Sequence, residues 1–309
     1  MGFSLLRNDS SVAPLNSHDV DGFPLYKSDL ESCKKSLSFA LNFNSYQTQD
    51  KIIFHTYWRE INPFGRKQAA VIKSIVASHK GSGKNVEINL WSNKPFEDNS
   101  FYREISKYVN FKIWNLDAEV KGTLLEGTHI TKEYIEDGLC YLEGDIFRLL
   151  TLHKYGGFYV DMDVLVLREF SPLNSLEFVY QWGTGGNKGE VFKSNGAVMR
   201  MNAGSPLSFE FMELLLSTPA THNTTGWGCD IYHKTPSQFL SLPGVWFDPD
   251  WGFDISPYKC CRPSFEDSEI MEFFHGSFAW HWHNMWTTEP HPNSKFSVLE
   301  RSFEDQLKL

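Results

Sequence analysis

Residues 143–170, EGDIFRLLTLHKYGGFYVDMDVLVLREF, constrain this chain more than any other stretch. Ile146, Phe147, Leu149, Leu150 and Leu152 make the first half apolar nearly all round, the pattern of a buried helix. Asp145 and Arg148 interrupt that surface three residues apart and so share one helix face. Tyr155-Gly156-Gly157 ends the helix, because glycine tolerates the left-handed turn found at helix C-termini. The β-branched and aromatic run from Phe158 to Leu167 predicts a strand. Alternation along it would point Tyr159, Asp161 and Asp163 one way and Val160, Met162 and Val164 the other. A buried helix and strand thus carry four charges, and burying charge is costly without a partner. Two carboxylates on one strand face are simply satisfied by a divalent cation, and oxygen ligands favour Mg²⁺ or Mn²⁺ over zinc.

The spacing Asp145-x-x-Arg148 followed by Gly156-Gly157-x-Tyr159-x-Asp161-x-Asp163 resembles the sugar-binding DXD region of a glycosyltransferase superfamily. Its members include fungal initiating α-1,6-mannosyltransferases, animal α-1,4-galactosyltransferases and glucosylating clostridial toxins. The resemblance spans most of residues 51–286 and is dense over 143–170. It implies an α/β fold of GT-A type, a Rossmann-like, mostly parallel sheet flanked by helices. It further implies a retaining, metal-dependent transferase using a nucleotide-diphosphate sugar, with a UDP-sugar favoured over a GDP-sugar and Mn²⁺ over Mg²⁺. The acceptor would be a glycan or other hydroxyl compound.

The rest of the chain is compatible with that expectation. Its 309 residues suffice for one large α/β domain or two small ones. A net charge of −9 argues against a nucleic-acid or anionic-membrane surface, and an anionic substrate would need a local cation. No apolar run approaches a membrane span, and MGFSLLRNDSSVAP lacks the apolar region of a signal peptide. The expected location is therefore cytoplasmic or otherwise soluble. Five cysteines, with Cys260 and Cys261 adjacent, read as reduced thiols rather than a disulfide framework. The tripeptides at Asn8 and Asn223 match the glycosylation signal but have no secretion signal to support them.

Residues 1–50 read as an irregular arm followed by a helix over about 29–42, opened by the capping box Ser28-Asp29-Leu30-Glu31. Residues 51–309 read as the catalytic domain. Strand Lys51–Trp58, amphipathic helix Arg66–His79 and strand Val86–Trp91 form a βαβ unit, the signature of a parallel sheet. A helix over Phe101–Val109, a strand over Phe111–Trp114, a loop over 115–128 and a helix near 130–137 follow. Beyond Phe170, strands are predicted at Phe178–Trp182, Asn195–Met199 and Phe273–His283. Helices are predicted at Pro206–Ser217, from Pro236 to Leu240, and at Lys295–Leu309. Gly183–Gly189 is a glycine-rich loop that reads either as a surface turn or as a lid.

The resemblance distributes roles over named residues. Asp163 matches the metal ligand, and Asp161 matches the acid that meets the metal through water and also the ribose or sugar. Asp145 and Arg148 match residues that hydrogen-bond sugar hydroxyls; otherwise they are an ordinary i,i+3 pair. Tyr159 matches a nucleotide contact. His55-x-x-Trp58 resembles a motif whose tryptophan stacks on the base, at the carboxyl edge where open α/β sheets bind ligands. Tyr57 adjoins it as a donor-site residue, and His55 is expected to pack. Asn195-Gly196-Ala197 resembles a segment of the α-1,4-galactosyltransferase branch and makes Asn195 a donor-site candidate. Thr235-Pro236 lies where relatives carry a glycine-containing signature and receives no role. His281, in the run AWHWHNMW, matches a terminal histidine that would reach the metal or diphosphate. A separate zinc site of His275, His281 and His283 lacks a fourth ligand.

Two other readings compete. Asp161 follows an apolar strand as the nucleophile does in haloacid-dehalogenase-type phosphatases, but Leu165 replaces their Thr or Val and the motif lies midway along the chain. A non-catalytic carbohydrate-binding protein on the same fold is opposed by the intact acidic pair.

Overall fold

A computed structural model describes residues 30–43, 50–136, 138–181, 184–185, 190–191, 194–222, 224–234, 239–252 and 274–308. Helix α1 (Leu30–Asn42) precedes strand β1 (Lys51–Tyr57), helix α2 (Arg66–His79), β2 (Asn85–Ser92) and β3 (Asn110–Ile113). Helix α3 (Tyr141–Tyr155) leads into β4 (Gly157–Val160) and β5 (Val164–Val166). The remaining strands are β6 (Phe178–Tyr180), β7 (Thr184–Gly185), β8 (Glu190–Val191), β9 (Asn195–Met201), β10 (Leu240–Leu242) and β11 (Ala279–His281). Helices α4 (Pro206–Ser217), α5 (Gly226–His233) and α6 (Lys295–Lys308) complete the main elements.

Seven strands form one sheet in the order β10-β6-β9-β4-β1-β2-β3. All neighbours are parallel except the two pairs made by β9. This is the mostly parallel α/β sheet flanked by helices that the βαβ pattern predicts. Side-chain alternation splits the core in two. Phe54, Phe158 and Val160 face α1, α2 and α6, whereas Tyr57, Tyr159 and Met199 face α3, α4 and α5. Helix α1 docks on the first of these cores through Cys33, Leu37 and Ala40. Trp246 Nε1 donates to Ser36 O at 3.1 Å and fixes that contact.

Several elements differ from expectation. The predicted strand Phe158–Leu167 is two strands. β4 pairs within the large sheet, the chain turns at Asp161–Asp163, and β5 pairs separately with β11. A turn therefore replaces strand alternation at the acidic pair, closed by Val164 N–H donating to Asp161 O at 3.1 Å. The aromatic strand is confined to Ala279–His281, residues 240–242 are strand rather than helix end, and the loop over 115–128 contains a short helix, Leu116–Glu119. Residues 1–29, most of Gly183–Gly189, Thr235-Pro236 and Cys260-Cys261 lie outside the described residues. No helix among the described residues is long and apolar enough to cross a membrane.

The helix–strand junction is tight. Gly156 caps α3 at φ +64°, and Gly157 (φ +94°) passes so close to β1 that a Cβ would stand 2.6 Å from Ile53 O. Glycine is the residue that meets both demands. His55 sits beneath this junction: its Nε2 donates to Gly156 O at 3.1 Å and its Nδ1 accepts Trp91 Nε1–H at 3.2 Å. His79 likewise donates from Nδ1 to Ile75 O at 2.8 Å and accepts Phe170 N–H on Nε2 at 2.9 Å. Each ring nitrogen that would take a second proton is already an acceptor. Burial lowers His55 to about 3 and His79 to about 4.

Below the ordinary histidine value of 6.5 the unfolded chain binds protons that the folded chain refuses. Stability from these residues is thus complete above pH 6.5 and falls as pH drops toward 4, by roughly 1.4 kcal/mol per unit per histidine. Urea midpoints should decrease from pH 7 to pH 5, and His55→Gln should flatten that slope. A midpoint level across this range would contradict the assignment.

Candidate active site

At the carboxyl edge of the parallel strands lies a cavity of about 340 Å³. Its walls include Tyr57, Trp58, Asp145, Arg148, Tyr159, Asp161, Asp163, Asn195 and His281. The structure thus brings together every site residue expected from sequence, drawn from β1, α3, β4, β9 and β11 and from the Asp161–Asp163 turn.

Arg148 organises one side. Its guanidinium lies 4.9 Å from the Tyr159 ring centroid, 3.4 Å from both Asp161 carboxylate oxygens and 3.7 Å from Asp145 Oδ1. Burial works against its charge, but Asp161, the tyrosines and Asp145 outweigh that and raise it well above the usual arginine value. Tyr159 donates its hydroxyl to Asp161 Oδ1 and is itself buried. Tyr159 and Arg148 therefore hold Asp161 in place, so the expected i,i+3 pair is one edge of a wider network.

Asp163 occupies the opposite side. Its Oδ2 accepts Asn284 N–H at 2.8 Å and lies 3.2 Å from His281 Nε2. The register of β5 with β11 explains this approach, since His281 pairs with Val164, next in sequence to Asp163. Burial disfavours both carboxylates. Asp161 is raised, by burial first and by its acidic neighbour, against the pull of Arg148. Asp163 is held below the usual carboxylate range, because His281 and the Asn284 N–H offset its burial. His281 is raised for the complementary reason, Asp163 outweighing burial.

Trp58 stands at the end of β1, with Nε1 donating to Asn62 O at 3.1 Å and its ring 4.9 Å from that of Trp286. Tyr57 stacks on Phe147 at 4.7 Å. Asn195 Oδ1 accepts Ala197 N–H at 2.7 Å, which shapes the start of β9.

Sequence reasoning missed four contributors. Gly228 N–H, in the first turn of α5, donates to Asp145 Oδ2 at 3.0 Å. Tyr232, one helical turn on, lines the cavity, and only a glycine at 196 leaves room for it. Tyr180 O–H lies 2.8 Å from His281 Nδ1. Asp248 receives His283 Nε2 at 2.7 Å, so the third member of the histidine cluster is Asp248 and not His275, which is exposed. Two acids in the apolar run Val245–Trp251 were the available signal for Asp248; no local pattern marks Gly228.

A methyl group on Gly228 would stand 2.8 Å from Asp145 Cγ and so push the helix off the carboxylate. The donor role expected of Asp145 predicts that Gly228→Ala weakens binding of a nucleotide sugar about 10-fold or more, the scale of one lost charge-assisted hydrogen bond, as read by calorimetric titration. Unchanged affinity would separate Asp145 from donor binding.

Open α/β sheets bind ligands in the crevice outside the carboxyl ends of their strands, and the acidic, arginine-braced cavity lies at that edge. The chain belongs to the family described as glycosyltransferase sugar-binding region containing DXD motif, which matches residues 26–180, about half its length. The phosphatase reading of Asp161 gives way to this membership. Human α-1,4-N-acetylglucosaminyltransferase is 24% identical over 220 residues, covering 68% of this chain and 58% of that enzyme. The chain thus spans a little over half the length of that curated relative. Among solved structures, the glycosyltransferase GlyE of Streptococcus pneumoniae TIGR4 is 13% identical with a TM-score of 0.47, covering 83% of this chain and 64% of that one. Galactosyltransferase LgtC in complex with donor and acceptor sugar analogues is 15% identical with a TM-score of 0.43, covering 81% and 96%.

Proposed function

We propose that this protein transfers a sugar from a nucleotide-diphosphate sugar, with UDP favoured over GDP as carrier, to a hydroxyl of a glycan or glycoconjugate. The observation that carries this reading is the convergence of Asp145, Arg148, Tyr159, Asp161 and Asp163 on one cavity beside Trp58. In this reading Asp145 and Arg148 hydrogen-bond the sugar hydroxyls. Trp58 would stack on the base, with Tyr57 and Asn195 as further donor-site residues lining the same cavity. Tyr159 keeps Asp161 aimed at the nucleotide side.

The residues present fit a divalent cation. Three carboxylates line the cavity with two guanidiniums, Arg148 and Arg59; Arg59 pairs with Glu143 at 3.1 Å, which leaves Arg148 to brace the three acids and a negative balance poorly suited to an anionic diphosphate. Asp163 and Asp161 would hold the cation, with His281 adjoining Asp163, and the imidazole favours Mn²⁺ over Mg²⁺. When bound, such a cation supplies Lewis-acid stabilisation of the departing diphosphate.

Among the described residues no side chain in the cavity is posed as a nucleophile with a partnering base, so we favour retention by front-face substitution. The anomeric C–O bond to the diphosphate breaks, and the acceptor oxygen bonds to the same face. The acceptor proton passes to the leaving phosphate oxygen. Arg148 and Asp145 hold the ring while this occurs. Manganese-dependent turnover of UDP-sugars, with Asp163→Asn as control, tests the reading. Retained glycan binding without turnover across a panel of donors would favour a non-catalytic carbohydrate-binding protein instead. The division into residues 1–50 as an added arm and helix and 51–309 as the catalytic domain belongs to the same proposal.

A further inference from the structure

Arg148 is held less tightly than a buried guanidinium can be. Its Nη2 stands 3.4 Å from each Asp161 carboxylate oxygen, whereas charge-assisted pairs close to about 2.7–2.9 Å. Its Nη1 lies 3.7 Å from Asp145 Oδ1, beyond hydrogen-bonding distance. Tyr232, on α5, is 4% exposed, and its hydroxyl has no hydrogen-bond partner among the described residues. A buried hydroxyl left without a partner is costly, which raises the question of what arrangement would satisfy it. Gly196 brings the two groups together. A Cβ there would collide with the Tyr232 hydroxyl and stand 2.9 Å from Arg148 Nη1, so both polar atoms lie over the same glycine. Burial raises Tyr232 well above the usual tyrosine value, and Arg148 is the first of the groups opposing it. The hydroxyl therefore keeps its proton and can accept from the guanidinium through a lone pair.

As it stands, Asp161 is engaged by Arg148 and by the Tyr159 hydroxyl. The cation proposed above for Asp161 and Asp163, on which this inference rests, would compete with the guanidinium for the same oxygens and repel it. Turned away from Asp161, the guanidinium meets two acceptors on its Nη1 side, Asp145 Oδ1 and the Tyr232 hydroxyl. Gly228 N–H, one turn before Tyr232, already holds Asp145 Oδ2, so α5 supplies both the anchor of that carboxylate and the hydroxyl. We propose that Tyr232 is a positioning residue that receives Arg148 when the cation takes Asp161. Cation binding then changes Arg148 from a brace on the acidic turn into the partner of Asp145 and Tyr232, the setting in which it reads the donor sugar.

One guanidinium thus serves two settings, and through it the cation and the sugar each strengthen the other's binding, since such coupling is reciprocal. Tyr232 contributes only to the second setting. Its effect is confined to states in which Arg148 has left Asp161, and it vanishes when Arg148 is replaced.

Chelator-treated protein titrated with Mn²⁺ in the absence of nucleotide, with free ion read by electron paramagnetic resonance, tests this. Arg148→Gln should bind Mn²⁺ more tightly than the parent, because Asp161 loses its competitor. Tyr232→Phe should bind Mn²⁺ about 10-fold more weakly, the scale of one charge-assisted hydrogen bond. In the Arg148→Gln background the same substitution should change the affinity less than about 2-fold, the two residues acting as one unit. Tyr232→Phe removes a hydroxyl that has no partner, so the melting temperature before Mn²⁺ is added should not fall. Unchanged Mn²⁺ affinity in Tyr232→Phe, an equal loss in both backgrounds, or a lowered melting temperature would each overturn the positioning role, the last by marking a structural hydrogen bond. A parent that takes up no Mn²⁺ would instead remove the cation reading itself, so the two fail distinguishably.

Discussion

Asp163→Asn should abolish manganese-dependent turnover of UDP-sugars, with a fall of about 10²–10³-fold, the scale of removing one group that stabilises transition-state charge. The substitution is isosteric. Its amide oxygen can still accept the Asn284 N–H that Asp163 now takes at 2.8 Å, so the turn should persist. What disappears is the negative charge, which His281 and the backbone N–H keep ionised despite burial. Asp161→Asn should be milder. Its carboxylate is raised rather than lowered and is already engaged by Arg148 and the Tyr159 hydroxyl. Steady-state hydrolysis with and without Mn²⁺ separates the two variants. Full activity in Asp163→Asn would remove this residue from the metal site and with it the proposed role of the acidic turn.

The largest stability loss is expected at a buried ion pair outside the cavity lining. Lys295 opens α6 at 2% exposure and pairs with Asp250 at 1%. Asp250 also accepts Trp280 Nε1–H at 2.8 Å, so this pair ties the C-terminal helix to β11, the strand that carries His281. Burial already pushes the Asp250 carboxyl upward, opposed chiefly by Lys295. Lys295→Ala strands that carboxylate and should cost about 3–5 kcal/mol. In a protein of this size that lowers the melting temperature by on the order of 10 °C. The double variant Lys295→Met/Asp250→Asn should recover most of the loss, because both charges leave together. If Lys295→Ala melts within about 2 °C of the parent, the pair contributes little and α6 is held by its apolar face alone.

Much of the fold was legible because its signals are local. The helical periodicity of Arg66–His79 and Tyr141–Tyr155, the βαβ spacing and the paired glycines at 156 and 157 each follow from a few neighbouring residues. The acidic turn was legible as chemistry but not as geometry. Apolar residues continue from Phe158 to Leu167, so nothing local announces that the chain leaves one sheet at Val160 and joins another ribbon at Val164. Trp58 and Asp145 could be named from their resemblance to family motifs, whereas Tyr232 and Gly228 could not, since their roles arise from a helix that packs across the cavity from elsewhere in the chain.

The sequence by itself determined the class of architecture and the charged residues that needed partners, because burial cost and periodicity act over short stretches, and its motif resemblance pointed to the family. Only the tertiary structure decided which partner each charge received. Asp145 took a backbone N–H from residue 228, Asp163 took His281 through the β5–β11 register, and His283 took Asp248. Such long-range pairings depend on how strands and helices dock, and docking is set by the shapes of two cores rather than by any local pattern.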